Sequence, residues 1–165
     1  MTIYRSPIPD VVIPDESIFT FSFEGKVDNE IPGTTLAFID APTERKITRA
    51  ALKAVSLSRM GSQEQQLGGA EITRGDTALI LSQNSFAWPC ALFGSVAAGF
   101  KMTLANPSQT PAELGYQWKD SRAKVVFTHL APVPTVVAMF EANGISAEEA
   151  RKKIIVMVWG TRTRP

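Results

Sequence analysis

The chain has 165 residues, 44% of them hydrophobic, and its 17 basic and 16 acidic residues leave a formal net charge of +1. This is enough apolar sequence for one folded core, and the balanced charge excludes a general attraction to nucleic acid or to an anionic membrane. A single cysteine, Cys90, excludes an internal disulfide and suits a reducing compartment. With only one histidine, His129, a structural zinc site is not expected.

The N-terminal segment carries Pro7, Pro9 and Pro14, which disfavour helix, so residues 1–35 are predicted to form an extended, proline-rich arm. No basic region followed by an apolar core is present here, which argues against a secretory signal and predicts a cytoplasmic protein. The longest apolar stretch, residues 86–100, is shorter than the roughly 18 to 20 residues that a bilayer-spanning helix needs. It is predicted as a buried helix, and no membrane span is expected.

The first half of the chain contains two predicted strand and helix pairs separated by a polar loop. Thr48 is the expected N-cap of the first helix, and Ser85 of the second. The glycine-rich segment 61–69 is predicted to be a flexible loop. The predicted elements are a strand over 36–40, a helix over 49–59, a buried strand over 77–82 and a helix over 86–99.

The second half alternates between strands and helices. Its best-specified helix begins at Thr110, where Pro111 occupies the first helical position and Glu113 completes a capping box; Leu114, Trp118 and Tyr116 are its predicted apolar face. The predicted elements are a strand over 101–105, helices over 111–120 and 133–142, strands over 124–128 and 154–158, and a short helix from Ser146 to Lys153. Alternation of this kind predicts an α/β fold, an open and mostly parallel sheet with helices on both faces.

Four segments of the chain resemble the N-terminal part of the adenylate-forming enzymes, especially the acyl-CoA synthetases similar to 4-coumarate–CoA ligase. The most specific of them is LANPSQTPAEL at 104–114. The others are Tyr4-Arg5-Ser6 with Pro9-Asp10, RKITRAAL at 45–52, and ITRGDTALILSQNS at 72–85, which precedes a helix ending at Ala97-Ala98-Gly99. The loop at 61–69 is longer than the family pattern.

The resemblance implies that residues 36–160 are part of the large N-terminal α/β domain of such an enzyme, followed by a disordered tail at 161–165. Family members use ATP and Mg²⁺ to convert a carboxylic acid to an acyl adenylate, and then usually pass the acyl group to coenzyme A. The phosphate loop and the catalytic lysine of the family are not found in this chain. We therefore expect a truncated fragment that is inactive alone, with no catalytic, cofactor-binding or metal-binding residue assigned and no cofactor of its own.

Family members often carry a C-terminal Ser-Lys-Leu peroxisomal address, whereas this chain ends in Thr-Arg-Pro. A carboxylic acid substrate is expected only for a polypeptide that has the remaining parts. Whether the chain is itself an enzyme stays open.

Several residues invite a functional interpretation beside a structural one. Gly33-Thr34-Thr35 could be a remnant of a phosphate loop or a plain turn, and Arg74-Gly75-Asp76 an adhesion motif or a turn before a strand; the turn is favoured in both cases. His129 follows a predicted strand, where open α/β sheets place ligands, but a hydrogen-bonded structural or rim histidine is favoured over a catalytic one. Cys90 is expected to pack in the core.

Other side chains have simpler expected roles. The basic run Arg151-Lys152-Lys153 is predicted to be a solvated helix end that complements the helix dipole. Four aromatic residues are expected to pack the core, although in a larger enzyme they could line an acyl tunnel: Phe86, Trp88, Phe93 and Phe100.

Two further functions compete with the ligase fragment. The first is a noncatalytic binding or assembly module that recruits a protein partner, or a second copy of itself, through an open sheet edge. The second and weaker one is a free-standing nucleotide-binding domain, which lacks a supporting glycine-rich turn between a strand and a helix.

Overall fold

The computed structural model describes residues 7–9, 12–25, 30–60 and 72–157 of the chain. Within these ranges, the strands are β1 (Leu36–Ile39), β2 (Lys46–Thr48), β3 (Thr77–Leu81), β4 (Lys101–Ala105), β5 (Ala123–Thr128) and β6 (Ile154–Val156). The helices are α1 (Ile18–Phe23), α2 (Arg49–Met60), α3 (Ala87–Ala97), α4 (Pro111–Ser121), α5 (Val133–Ala142) and α6 (Ala147–Lys153).

The predicted parallel sheet is confirmed. Four strands form it in the spatial order β4-β3-β5-β6, and every neighbouring pair is parallel. In the centre, Leu79 of β3 lies opposite Thr103 of β4 and Val126 of β5. The chain therefore leaves β3 toward one side, and then crosses over it to place β5 on the other side.

One face of the sheet is covered by α4, α5 and α6. Leu79, Leu81 and Val126 point to this face and are completely buried. Trp118 of α4 packs edge-on against Phe140 of α5, with ring centroids 5.0 Å apart. Fully burying a side chain of this size contributes about 1.5–3 kcal/mol, so this cluster is a major source of stability.

The opposite face is covered by α3, so the prediction of helices on both faces is confirmed. Ala78, Ile80 and Val125, which alternate with the residues of the first face, are also completely buried. A strand that is apolar on both sides is typical of a parallel sheet between two helical layers. The confirmed buried helix at 87–97 accounts for the long apolar stretch.

The far side of α3 packs against α1, α2 and β2, and this contact forms a third apolar cluster. The expectation of an extended arm over residues 1–35 is wrong for residues 18–23. These residues form α1, whose Phe19 and Phe23 are buried in the third cluster. Ser17 caps the helix by accepting from the Thr20 amide at 3.0 Å. A six-residue helix is marginal alone, so tertiary contacts stabilise it. Phe23 lies edge-on to Phe93 of α3 at 4.9 Å.

The predicted strand at 36–40 forms as β1, but it lies outside the parallel sheet. It pairs antiparallel with β2, a strand that the sequence analysis did not identify. Thr48 closes β2 and caps α2 as predicted, because its hydroxyl accepts from the Ala51 amide at 3.2 Å. The β1–β2 hairpin reaches the carboxyl edge of the sheet through the turn that follows β1.

The capping box of α4 forms as predicted. Glu113 accepts from the Thr110 backbone amide at 2.8 Å, and Thr110 Oγ1 accepts from the Glu113 amide at 3.4 Å. The bond from the Thr110 backbone amide, followed by the bond from its hydroxyl, lowers the pKa of Glu113. Leu114 and Trp118 are buried, but Tyr116 is 75% exposed and does not belong to the apolar face. The predicted short helix forms as α6, and a second capping box, between Ser146 and Glu149, opens it.

Some predictions fall outside the described residues. They concern the loop at 61–69, the end of the predicted strand at 154–158 and the tail at 161–165. Among the helices that are described, none is both long enough and apolar enough to cross a bilayer.

Two glycines with positive φ border the entry to β3 and provide a matched test of this packing. Gly99 (φ 83°) would place a Cβ only 2.7 Å from Arg74 Cγ, whereas a Cβ on Gly75 (φ 92°) would meet no atom within 4 Å. Both alanine variants carry a left-handed backbone cost of about 1–2 kcal/mol. We expect Gly99→Ala to lower the free energy of unfolding by roughly 1–3 kcal/mol more than Gly75→Ala, measured by urea denaturation.

The added loss should disappear when Gly99→Ala is combined with Arg74→Ala, because the clash is with the Arg74 side chain. Equal losses in the two glycine variants would show that the close approach has no energetic consequence.

Candidate functional site

The strand order creates a crevice at the carboxyl edge of the sheet. The connection after β3 runs toward β4, whereas the connection after β5 runs toward β6, so the two loops diverge between neighbouring strands. In open α/β sheets this divergence is where ligands bind. Ser85 lies in the loop after β3, and His129 directly follows β5.

Ser85 and His129 form a hydrogen-bonded pair across this crevice. Ser85 Oγ lies 2.9 Å from His129 Nε2, and His129 Nδ1 lies 3.0 Å from the carbonyl oxygen of Met157. A backbone carbonyl can only accept, so Nδ1 carries a proton. In the neutral ring Nε2 is then the acceptor, and the Ser85 hydroxyl donates to it.

This arrangement corrects the predicted role of Ser85. Helix α3 begins at Ala87 with no side-chain cap, and the Ser85 hydroxyl is directed to His129 instead. Only the Ser85 carbonyl takes part in the start of the helix, where it accepts from the Trp88 amide at 3.2 Å. No local sequence pattern pairs Ser85 with His129. The two residues are far apart in sequence, and only the adjacency of β3 and β5 brings them together.

Two grooves meet at Ser85. The first, of about 470 Å³, runs between the β1–β2 turn and the start of α3, and Phe38, Phe86 and Trp88 are among its lining residues. The second, of about 510 Å³, lies beside His129 and Met157 and includes Arg45. Asp40 lines both grooves. Both volumes lie within the ordinary range for small-molecule sites.

The turn at Gly33-Thr34-Thr35 is not suited to hold phosphate. The Gly33 carbonyl accepts from the Ala50 amide at 2.9 Å, and the Thr35 carbonyl accepts from the Arg49 amide, also at 2.9 Å. These groups fix the start of α2, which agrees with the turn interpretation. A phosphate cradle needs several N–H groups directed at one point. The Thr35 amide instead donates to the Pro32 carbonyl at 2.9 Å, within the turn itself.

Comparison with known proteins identifies the family. A sequence model of AMP-binding enzymes matches residues 65–163. The chain belongs to the AMP-binding enzyme family. The 4-coumarate–CoA ligase-like 4 of Oryza sativa subsp. japonica is 31% identical over 150 residues, which are 90% of this chain but 26% of that protein. The resemblance seen in the sequence is therefore confirmed, for a chain that spans about a quarter of its relative.

Solved structures show the same fold. The luciferase-like enzyme from the nonluminescent Zophobas morio mealworm aligns with a TM-score of 0.69 and 18% identity, over 90% of this chain and 32% of that one. A benzoate CoA ligase from Burkholderia xenovorans LB400 aligns with a TM-score of 0.64 and 23% identity, over 90% of this chain and 30% of that one. These identities support the fold of an AMP-binding enzyme domain and nothing finer.

The remaining candidate residues of this AMP-binding enzyme chain have structural surroundings. Cys90 is buried in the third cluster, between α3 and the α1–α2 layer. Phe93 and Phe100 pack in the core as predicted. Phe86 and Trp88 also pack there, but they line the first groove as well. Lys152, in the basic end of α6, lies 3.5 Å from Glu148.

Arg74-Gly75-Asp76 forms the predicted turn into β3. The Asp76 carboxylate accepts from the Thr73 amide at 2.9 Å and from the Thr73 hydroxyl at 3.0 Å. The bond from the Thr73 amide is the main cause that lowers the pKa of Asp76. Because the Asp76 carboxylate is hydrogen-bonded within its own turn, these contacts give the tripeptide a structural role, and no adhesion role is needed to explain it.

The chain has a single histidine, so its tautomer can be measured without ambiguity. We expect nitrogen-15 NMR of the neutral imidazole in the folded protein to show the proton on Nδ1 and none on Nε2, because Nδ1 faces the Met157 carbonyl. The urea-unfolded chain, in which this contact is lost, is the control. A folded protein with the proton on Nε2 alone would contradict the arrangement at Ser85.

Proposed function

We propose that this chain supplies the first part of the AMP-binding domain of an acyl-CoA ligase. The reaction we propose for the larger polypeptide is activation of a carboxylic acid by ATP to an acyl adenylate, followed by transfer of the acyl group to coenzyme A. The observation that carries the proposal is the family match over residues 65–163, together with a relative described as 4-coumarate–CoA ligase-like.

The same proposal holds that residues 1–165 do not adenylate by themselves. Two observations support it: the chain spans 26% of the rice relative, and in the glycine-threonine turn that resembles a phosphate loop the Thr35 amide already donates to the Pro32 carbonyl. Transition-state charge on a polyphosphate needs preorganised N–H groups and cations. Without them we expect no measurable acceleration.

Acid-dependent ATP–pyrophosphate exchange tests this proposal. The purified chain is assayed with Mg²⁺ over a panel of aromatic and fatty acids, beside a version extended with the part of the rice relative that lies beyond the match. We expect exchange only from the extended version, and only when acid is present. Exchange by the 165-residue chain would overturn the proposal, as would an extended version that folds but does not exchange.

One observation favours the assembly role as a second candidate function. At the β4 edge, the Leu104 carbonyl points away from β3 and accepts from the Gln117 side chain of α4 at 3.2 Å. The same side chain donates to Thr103 Oγ1 at 2.7 Å, so this edge already has a hydrogen-bond partner. At the other edge, the Met157 amide donates to Thr128 at 2.7 Å. Amides alternate in direction along a strand, so Val156, one residue earlier, directs its N–H away from β5. We propose that β6 is the edge that accepts another strand.

The occupant that we propose is a strand from a polypeptide that carries the rest of a ligase of this family, because the relatives extend far beyond the matched quarter. Val156→Pro removes the outward N–H, and Leu104→Pro makes the same change at the engaged edge. Light scattering after gel filtration should show a complex with the remaining part of the rice relative that is lost only in Val156→Pro. A complex that survives Val156→Pro, or no complex at all, would refute the β6 edge.

A further inference from the structure

The Ser85–His129 pair has the geometry of an activated nucleophile. The serine hydroxyl lies 2.9 Å from Nε2 of the imidazole, and the opposite nitrogen is held at 3.0 Å by the Met157 carbonyl. A nucleophile, a base and a third group that orients the base are the three elements of nucleophilic catalysis by serine. The third group here is a neutral carbonyl in place of a carboxylate, so it stabilises an imidazolium less strongly.

The position of Ser85 adds a means to stabilise negative charge. Ser85 lies just before α3, and the helix begins without a side-chain cap. The Trp88 amide donates to the Ser85 carbonyl and Pro89 has no N–H, so what the start of α3 offers beside Ser85 is the positive end of the helix dipole. An oxyanion that develops on a carbonyl attacked by Ser85 would form next to this positive end, which stabilises negative charge.

The groove beside Ser85 indicates the class of substrate. It has a volume of about 470 Å³, Ser85 is only partly buried at its side, and the aromatic rings of Phe38, Phe86 and Trp88 line it. Asp40 places a carboxylate in the same groove, where it disfavours anionic ligands. A neutral ester of an aromatic acid fits this combination of an apolar groove and one negative charge.

We propose that Ser85 is a nucleophile, with His129 as its general base, that cleaves aryl esters of aromatic carboxylic acids without ATP. Ser85 Oγ bonds to the acyl carbon while its proton passes to His129 Nε2. The phenol then leaves and takes this proton. Water, deprotonated by the same nitrogen, cleaves the acyl-serine, which releases the acid and restores Ser85. This activity goes beyond the ligase function, and needs no group other than water.

Covalent labelling by an aryl fluorophosphonate tests the nucleophile directly. The unmodified 165-residue chain is treated with the probe, its intact mass is measured, and the labelled residue is mapped by peptide mass spectrometry. We expect one label per chain, on Ser85. Absence of a label, or a label on another residue, would overturn the proposal. This test uses the unmodified chain, so it does not depend on the folding of a variant.

Variants distinguish a Ser85 hydroxyl that His129 activates from one that reacts only because it is accessible. His129→Gln should slow labelling and hydrolysis of nitrophenyl benzoate by roughly 100-fold, because it removes the general base, and Ser85→Ala should abolish both. Ser58→Ala is the matched control: Ser58 is an exposed serine of α2 whose hydroxyl donates to the Val55 carbonyl, and its loss should change neither rate. Circular dichroism establishes that each variant is folded. A folded His129→Gln variant that reacts at the unmodified rate would show that the pair is only a structural hydrogen bond.

Discussion

The complete burial of β3 is the constraint on which the rest of the structure depends. Leu79, Ile80 and Leu81 expose no surface, and neighbouring strands pair with β3 on both sides. Its backbone groups can be satisfied only by those strands, and its side chains only by helices above and below the sheet. Helix α3 therefore has two buried faces, one toward the sheet and one toward the α1–α2 layer.

The crevice is a direct consequence of this central position. Because β4 and β5 lie on opposite sides of β3, the loops after β3 and β5 run in opposite directions and leave a cleft over the middle of the sheet. The β1–β2 hairpin then supplies Asp40 and Phe38 as a wall of this cleft. Ser85, in the loop between β3 and α3, and His129, directly after β5, are brought together here because β3 and β5 are neighbouring strands.

The elements that the sequence predicted well are those whose signals are local. Thr110, Pro111 and Glu113 specify the start of α4 within four residues, and the apolar run at 77–81 specifies a buried strand by its composition. Helix α1 was missed because its stability comes from burying Phe19 and Phe23 against α3, which no local pattern shows. Tyr116 was assigned to the wrong side of α4, because aromatic character alone does not decide which side of a helix is covered.

By itself, the sequence determined the alternation of strands and helices, the α/β class and the family resemblance, because periodicity, capping residues and motif spacing are properties of neighbouring residues. The strand order, the separate β1–β2 hairpin and the pairing of Ser85 with His129 were decided only by the tertiary structure. A serine at that position is equally compatible with capping α3 or with binding an imidazole. The choice depends on which strand lies next to β3, and that adjacency arises only when the chain crosses over β3 to bury both of its sides.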